Sequence, residues 1–340
     1  IIISHLGRPK GSKVSELSLI PVYKFLKEQL KSNLFFFMGN IDEEIKSKCS
    51  YLKEGEIILL ENIRFSKGES ENDDVLAKKL ASLGDIYIND AFSCSHREQA
   101  SIHKITKYIQ ESYAGPLLKK EVEAINLVIK NKKEPVTCII GGSKISTKIN
   151  VISNLIKNVN NIVIVGAMAN NFLAFKGFKI GKSLLEENSN KIINEIYAKA
   201  QQNNCNIIIP EDCNVSTSFE GAGTAKTKDD INNNEIILDI GPKTIKNIEN
   251  IIDQSNTVLW NGPAGYFENQ NFIAGTLAIA NKISKNTSNK SLVSILGGGD
   301  TIAAINKSNE KFTFTHLSTA GGAFLEFLEG KDLPGLNVLK

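Results

Sequence analysis

Residues 136–148, VTCIIGGSKISTK, carry an apolar run straight into two glycines and then a polar segment with two lysines. An unbroken apolar run rich in β-branched residues reads as a strand buried on both faces, as in parallel sheets. The glycines that follow leave bare backbone N–H groups where a helix is expected to begin, a geometry suited to phosphate. Lys144 and Lys148, four residues apart, are expected on one face of that helix. Paired lysines usually mark a solvated helix face, but a glycine turn just before them favours neutralisation of a phosphoryl group.

The same pattern repeats outward from this stretch. Residues 161–167 (NIVIVGA), 206–210 (NIIIP), 257–263 (TVLWNGP) and 291–299 (SLVSILGGG) read as strands, with helical periodicity between them, as in 271–284. Toward the N-terminus, residues 1–4 (IIIS), 33–38, 56–62 and 85–90 read as strands, alternating with helices over 18–31 and 73–84. Between the two blocks, GPLLKKEVEAINLVIKNKK (115–133) has apolar residues at helical spacing behind a Gly-Pro start. The chain therefore reads as an α/β protein with mainly parallel sheets. At 340 residues it exceeds the roughly 250–300 at which a single core stops growing, so two lobes joined by a long helix are expected.

Composition narrows the function. Hydrophobic residues at 41% and charged residues at 23% are globular values, and no apolar run approaches the roughly 18 residues of a membrane helix. No secretory leader is legible, and the five cysteines are odd in number with no CxxC pair. A soluble, cytoplasmic protein with reduced thiols is expected, with no membrane partner. A net charge of +3 gives no footprint for nucleic acid. Of the 40 basic residues only three are arginines, Arg8, Arg64 and Arg97, leaving 37 lysines. Guanidinium offers a planar fork for carboxylate or phosphate that ammonium cannot copy, so these three mark a candidate oxyanion site.

Ligands of open parallel sheets bind beyond the carboxyl ends of the strands. In the first block those positions carry SHLGRPKG, ENIRF and NDAFSCSHREQ, which place the three arginines with His5 and His96 in loops on one rim. In the second block the strands end in glycine, which points to nucleotide phosphates. Asp300 follows three glycines, and a lone carboxylate together with nucleotide phosphates is a common way to hold Mg²⁺. A helix N-cap is its simpler role. GFKIGKS (177–183) has only three residues between its glycines and follows a helical pattern, so it is not a P-loop; a GxGxxG fingerprint is absent.

Nine stretches taken together resemble the phosphoglycerate kinase family, in the family's order and over essentially the whole chain. They are SHLGRPKG, LLENIRF, NDAFSCSHR, GGSKISTKI, VGAMANNFL, DIGPKT, VLWNGPAGYFE, GGGDTIAAI and STAGGAFLEFLEGKDLPG. The resemblance implies two Rossmann-like three-layer αβα lobes with mainly parallel sheets, joined by a long helix and a hinge whose motion brings the lobes together. Residues 1–113 would form the phosphoglycerate-binding lobe and 114–131 the interdomain helix. Residues 132–320 would form the Mg-nucleotide lobe, and 321–340 a C-terminal helix and tail returning toward the hinge and the first lobe. The implied reaction is reversible transfer of a phosphoryl group between 1,3-bisphosphoglycerate and ADP, giving 3-phosphoglycerate and ATP, in glycolysis and gluconeogenesis. Mg²⁺ would be the cofactor, and the enzyme a monomer.

Carried over residue by residue, His5, Leu6, Gly7 and Arg8 would line the phosphoglycerate site, with Arg64 and Arg97 on the phosphate that does not move. Lys148 would contact nucleotide phosphates, Lys144 the transferring phosphoryl, and Glu268 the ribose. Gly298, Gly299, Asp300 and Thr301 would hold the nucleotide tail, with Asp300 on the metal. Gly321 and Gly322 would offer N–H groups to the moving phosphate, and Arg8, Lys144 and Lys148 would complete the catalytic set. Ala320 stands where the family commonly has a third glycine, and Ser93 where it has Gly. The family also begins with a strand ending in Asp-Phe-Asn and a helix bearing a phosphoryl-contacting arginine, neither of which occurs here, so a chain lacking the family's N-terminal segment is expected. Competing readings are a two-lobed nucleotide-dependent oxidoreductase and a hinged small-molecule binder, which hydride transfer or binding without turnover would reveal.

Overall fold

An apolar run becomes a strand only where neighbours complete its backbone hydrogen bonds, and the computed structural model, which describes all of residues 1–340, shows both outcomes. The chain divides into two units, Ile1–Lys119 with Asp332–Lys340, and Lys120–Lys331.

In the first unit Leu34–Phe37 (β1) pairs in parallel with Ile57–Leu60 (β2), and Ile86–Asn89 (β3) pairs in parallel with Glu111–Ala114 (β4). The strand expected at residues 1–4 is reduced to one parallel bridge between Ile2 and Leu59. The Ile2 N–H donates to the Ile58 carbonyl at 2.7 Å and the Ile2 carbonyl accepts from Leu60 at 3.0 Å. The Ser4 carbonyl then accepts from Ile63 instead of Asn62, one residue out of ladder register, so pairing stops there. Helix Asp74–Ala81 starts where Asp73 accepts the Leu76 N–H at 2.7 Å, and it buries Leu76, Ala77, Leu80 and Ala81. These residues join Ile58, Leu60 and Tyr87 in one core. The C-terminal tail belongs to this unit: the Gly335 N–H donates to the Ser95 carbonyl at 2.8 Å, and the Asn89 amide donates to the Gly335 carbonyl at 3.1 Å.

The second unit is built on a six-stranded parallel sheet. Its members are Val136–Ile140 (β5), Asn161–Ile164 (β6), Asn206–Ile208 (β7), Thr257–Asn261 (β11), Val293–Gly297 (β12) and His316–Ser318 (β13). Their order is β13-β12-β11-β5-β6-β7. Every residue of β5 and β11, the two central strands, is buried, as an apolar run covered on both faces must be. Because side chains alternate, Ile139, Trp260 and Leu296 pack with Ile248, Ile252, Ile279 and Ile283 of helices Pro242–Gln254 and Ala274–Lys290. Gly297, next after Leu296, lies against Phe324 of helix Gly322–Leu328. A second sheet was not legible in the sequence: Asp212–Ser216 (β8), Thr224–Thr227 (β9) and Ile236–Ile240 (β10) pair antiparallel in the order β10-β8-β9. Two of its segments give weak signals: DCNVS alternates, but over only five residues that include the poor strand formers Asp and Asn, and TAKT has no apolar run.

The helix expected over 114–131 forms as Pro116–Ile129, and the division between units falls inside it, after Lys119. The C-terminal segment expected as one piece over 321–340 is split. Phe324 and Leu328 are fully buried in the second unit, where the Asn154 amide donates to the Leu328 carbonyl at 2.8 Å, so only 332–340 belongs to the first.

Candidate active site

The three arginines fall in one neighbourhood of the first unit. Arg64 sits in the short helical turn Ile63–Phe65 directly after β2; Asn62 caps that turn by accepting the Arg64 N–H at 3.1 Å. Arg64 is 8% exposed, and its guanidinium donates to the Gly7 carbonyl at 2.8 Å, tying it to the loop of His5, Leu6, Gly7 and Arg8. The Asn62 amide donates to the Leu6 carbonyl at 2.8 Å and fixes the same loop. Arg8 and Arg97 both bear electrostatically on Arg64. Burial and then the charges of Arg64 and Arg97 push His5 down to about 4, so it is neutral at pH 7. None of the three guanidinium groups forms a salt bridge with a carboxylate, and Glu69 bears on Arg64 only without contact. A cluster of unneutralised guanidiniums around a neutral imidazole can take a small polyanion.

In the second unit the sheet changes direction of construction between β5 and β11, the place where open parallel sheets bind ligands. Here the backbones approach so closely that a Cβ on Gly262 would stand 2.3 Å from the Gly141 carbonyl oxygen. Lys148 crosses this point: its ammonium donates to the Gly141 carbonyl at 2.6 Å and to the carbonyl and side-chain oxygens of Asn261. Burial brings Lys148 down to about 8, with Asp300 acting in the opposite sense. Gly298 has a φ of +106°, and a Cβ there would come within 2.8 Å of the Asn261 amide. Thr301 is fully buried and its hydroxyl accepts the Gly262 N–H at 2.7 Å, which binds the start of helix Gly299–Asn306 to the end of β11.

The expected helix carrying both lysines is corrected by the structure. Residues 141–148 are loop and turn, and the helix begins only at Ile149, so Lys144 and Lys148 do not share a helical face. Lys148 folds back over the strand ends, whereas Lys144 is exposed near Glu186. The Glu186 carboxylate accepts the Ser146 N–H at 3.2 Å, and its own N–H donates to the Asn171 side chain at 2.9 Å. Partial desolvation works against Glu186 ionisation, but the bonds from Ser146 and the charge of Lys144 bring its pKa below the ordinary value.

A cavity of about 430 Å³ opens beside these strand ends. Gly142, Gly166 and Ala167 form one side of it, Leu238, Asp239 and Ile240 of β10 another, and Glu268 and Asp300 also line it. Gly321, with a φ of +57°, and Gly322 open the helix after β13, at the same carboxyl edge of the sheet. Glu186 and the first part of the β10 wall had no signal in the sequence, whereas Asn261 and Asp239 stand inside the stretches VLWNGPAGYFE and DIGPKT without having been singled out.

The phosphoglycerate kinase family model matches residues 1–331. The chain belongs to the phosphoglycerate kinase family. It is 43% identical over 342 residues to a phosphoglycerate kinase of Xanthobacter flavus, covering all of this chain and 86% of that one. Among solved structures, the phosphoglycerate kinase of Coxiella burnetii superposes with a TM-score of 0.89 at 40% identity, over 99% of this chain and 85% of the other. That of Pyrococcus horikoshii OT3 gives 0.79 at 28% identity, with the same shares covered. The expected fold class, two Rossmann-like lobes with mainly parallel sheets, agrees with these neighbours. As a member of the phosphoglycerate kinase family the chain is an enzyme, a phosphotransferase. No helix is long and apolar enough to cross a membrane.

Proposed function

We propose that the chain transfers a phosphoryl group reversibly between 1,3-bisphosphoglycerate and ADP. A β-phosphate oxygen of ADP attacks the acyl phosphorus, the bond from phosphorus to the carboxyl oxygen breaks, and 3-phosphoglycerate and ATP result. The observation that carries this reading is the pair of anion sites of different make: three uncompensated arginines in one unit, and glycine-rich strand ends beside a cavity in the other. In that reading His5, Leu6, Gly7 and Arg8 line the phosphoglycerate site, and Arg64 and Arg97 grip its stationary phosphate. Lys148 holds the nucleotide phosphates, Glu268 meets the ribose, and Gly298, Gly299 and Thr301 carry the phosphate tail. Lys144, Arg8 and the N–H groups of Gly321 and Gly322 face charge that develops on the moving phosphoryl.

No three His, Cys, Asp or Glu side chains converge as a metal cage. Asp300 is exposed, unpaired and on the cavity wall, which fits a Mg²⁺ held by one carboxylate and nucleotide phosphates. Such an ion would shield phosphate charge. The neutral His5 leaves the net charge of the phosphoglycerate site to the arginines. We place the enzyme in the cytoplasm as a monomer, in accord with five free cysteines.

A coupled assay that follows acyl-phosphate formation from 3-phosphoglycerate and Mg-ATP tests the proposal. Turnover is expected, and its absence with both substrates present at saturating concentration would refute it. Hydride transfer, or nucleotide binding without turnover, would support the competing readings.

A further inference from the structure

The wall of the cavity contains a buried carboxylate that the proposed reaction does not use. Asp239 is 2% exposed, and no ammonium or guanidinium pairs with it. Both of its oxygens are committed to backbone: Oδ1 accepts the Ile240 N–H at 2.9 Å, and Oδ2 accepts the Gly275 N–H at 2.8 Å at the start of helix Ala274–Lys290. Gly265 and Gly275 are bare where they meet it; a Cβ at either would stand 2.4–2.5 Å from the carboxyl group.

The strand is irregular at the same point. Ile237 pairs with Val215 and Asp239 with Asn214, which leaves Leu238 as an extra residue. Freed from the ladder, the Leu238 carbonyl accepts the Tyr266 N–H at 2.6 Å. The bulge therefore holds the cavity-lining segment Gly265–Glu268 by a hydrogen bond at Tyr266, and the carboxylate packs against it at Gly265 while bonding the helix start at Gly275.

We propose that Asp239 is a positioning residue for the nucleotide, fixing the 262–268 loop and the first turn of helix 274–290 against the bulged end of β10. This rests on the assignment of the cavity to nucleotide. An uncharged amide cannot replace it, because Asn offers one acceptor where two N–H groups converge. Burial raises Asp239 to about 7, and its backbone hydrogen bonds work in the opposite sense. On β8 its charge bears on the Cys213 thiol, as does that of Asp212, whose carboxylate is occupied by the Lys243 and Thr244 N–H groups. From helix 274–290 and the loop, Gly275 and Gly265 meet it, and Lys182, Glu268 and Asp300 line the cavity beyond it. The anchoring carboxylate is thus complete above pH 7 and neutralised below.

Calorimetric titration of the full chain with Mg-ADP and, separately, with 3-phosphoglycerate tests this from pH 6 to pH 8.5. Asp239→Asn is expected to weaken Mg-ADP binding about tenfold at pH 8, the scale of one charge-assisted hydrogen bond. The gap from the parent should close below pH 7, and 3-phosphoglycerate affinity should not change. Should D239N fail to fold, Gly275→Ala, which displaces the carboxylate without removing its charge, is expected to show the same selectivity for Mg-ADP. Equal Mg-ADP affinity in parent and variant, or equal loss for both ligands without pH dependence, would overturn the positioning role. If the parent itself bound no Mg-ADP, the assignment of the cavity to nucleotide would fall instead.

Discussion

The two units build their candidate anion sites by opposite means. The first uses side chains: three guanidiniums, one of them buried with a single carbonyl contact, on loops that end short strands. The second uses backbone: glycines at the carboxyl ends of buried strands, and a lysine already held by three oxygens. A side-chain site depends on the shape and charge of its head groups, and a backbone site depends on the absence of Cβ atoms. The two should therefore fail under different substitutions.

The largest effect is expected at Lys144, the group proposed to meet charge that develops during transfer. Lys144→Ala should lower kcat by about a hundredfold or more while leaving nucleotide KM nearly unchanged. Steady-state kinetics decide; a parallel rise in KM would make Lys144 a ground-state contact. Next, Gly298→Ala adds a Cβ at a φ of +106° and against the Asn261 amide. It should cost about 1–3 kcal/mol of unfolding free energy and weaken nucleotide binding, with 3-phosphoglycerate binding spared. Chemical denaturation and titration with each ligand measure the two parts.

Arg64→Lys is the converse probe. Retaining charge but losing the fork should raise the 3-phosphoglycerate KM by about tenfold, with nucleotide KM constant. An unchanged KM would show that charge alone suffices and would remove the contrast between the units. Acidity offers a gentler test. Above about pH 8 Lys148 loses its proton, so nucleotide KM should rise while 3-phosphoglycerate KM does not follow. The smallest effect concerns His5, whose pKa of about 4 lies below its ordinary 6.5. The unfolded chain then binds more protons between those values, so stability is lost as pH falls from 6.5 toward 4. His5→Gln should flatten that part of the stability profile in urea titrations, modestly because the ring is only partly buried.

Much of the site was readable in the linear chain because its signals are local. Arginines are rare here by type, and glycines after apolar runs are visible at a glance. Lys144 and Lys148 show the limit. Spacing put them on one helix face, but the turn continues to Lys148 and the helix starts at Ile149, so one lysine folds inward and the other stays in solvent. The strand expected at residues 1–4 fails for a related reason: composition makes a strand eligible, and only paired neighbours make it one.

By itself the sequence determined the α/β class, the buried central strands and the residue types at their ends, because burial periodicity and glycine turns are written within a few residues. Tertiary structure alone decided that β5 and β11 adjoin at the point where Lys148 crosses. It alone decided that β10, bulged at Leu238, closes the cavity with Asp239 inside the wall. Those outcomes depend on register and contact between segments that are distant in the chain, 113 residues in the case of Lys148 and Asn261 and 36 in that of Asp239 and Gly275, which local pattern does not encode.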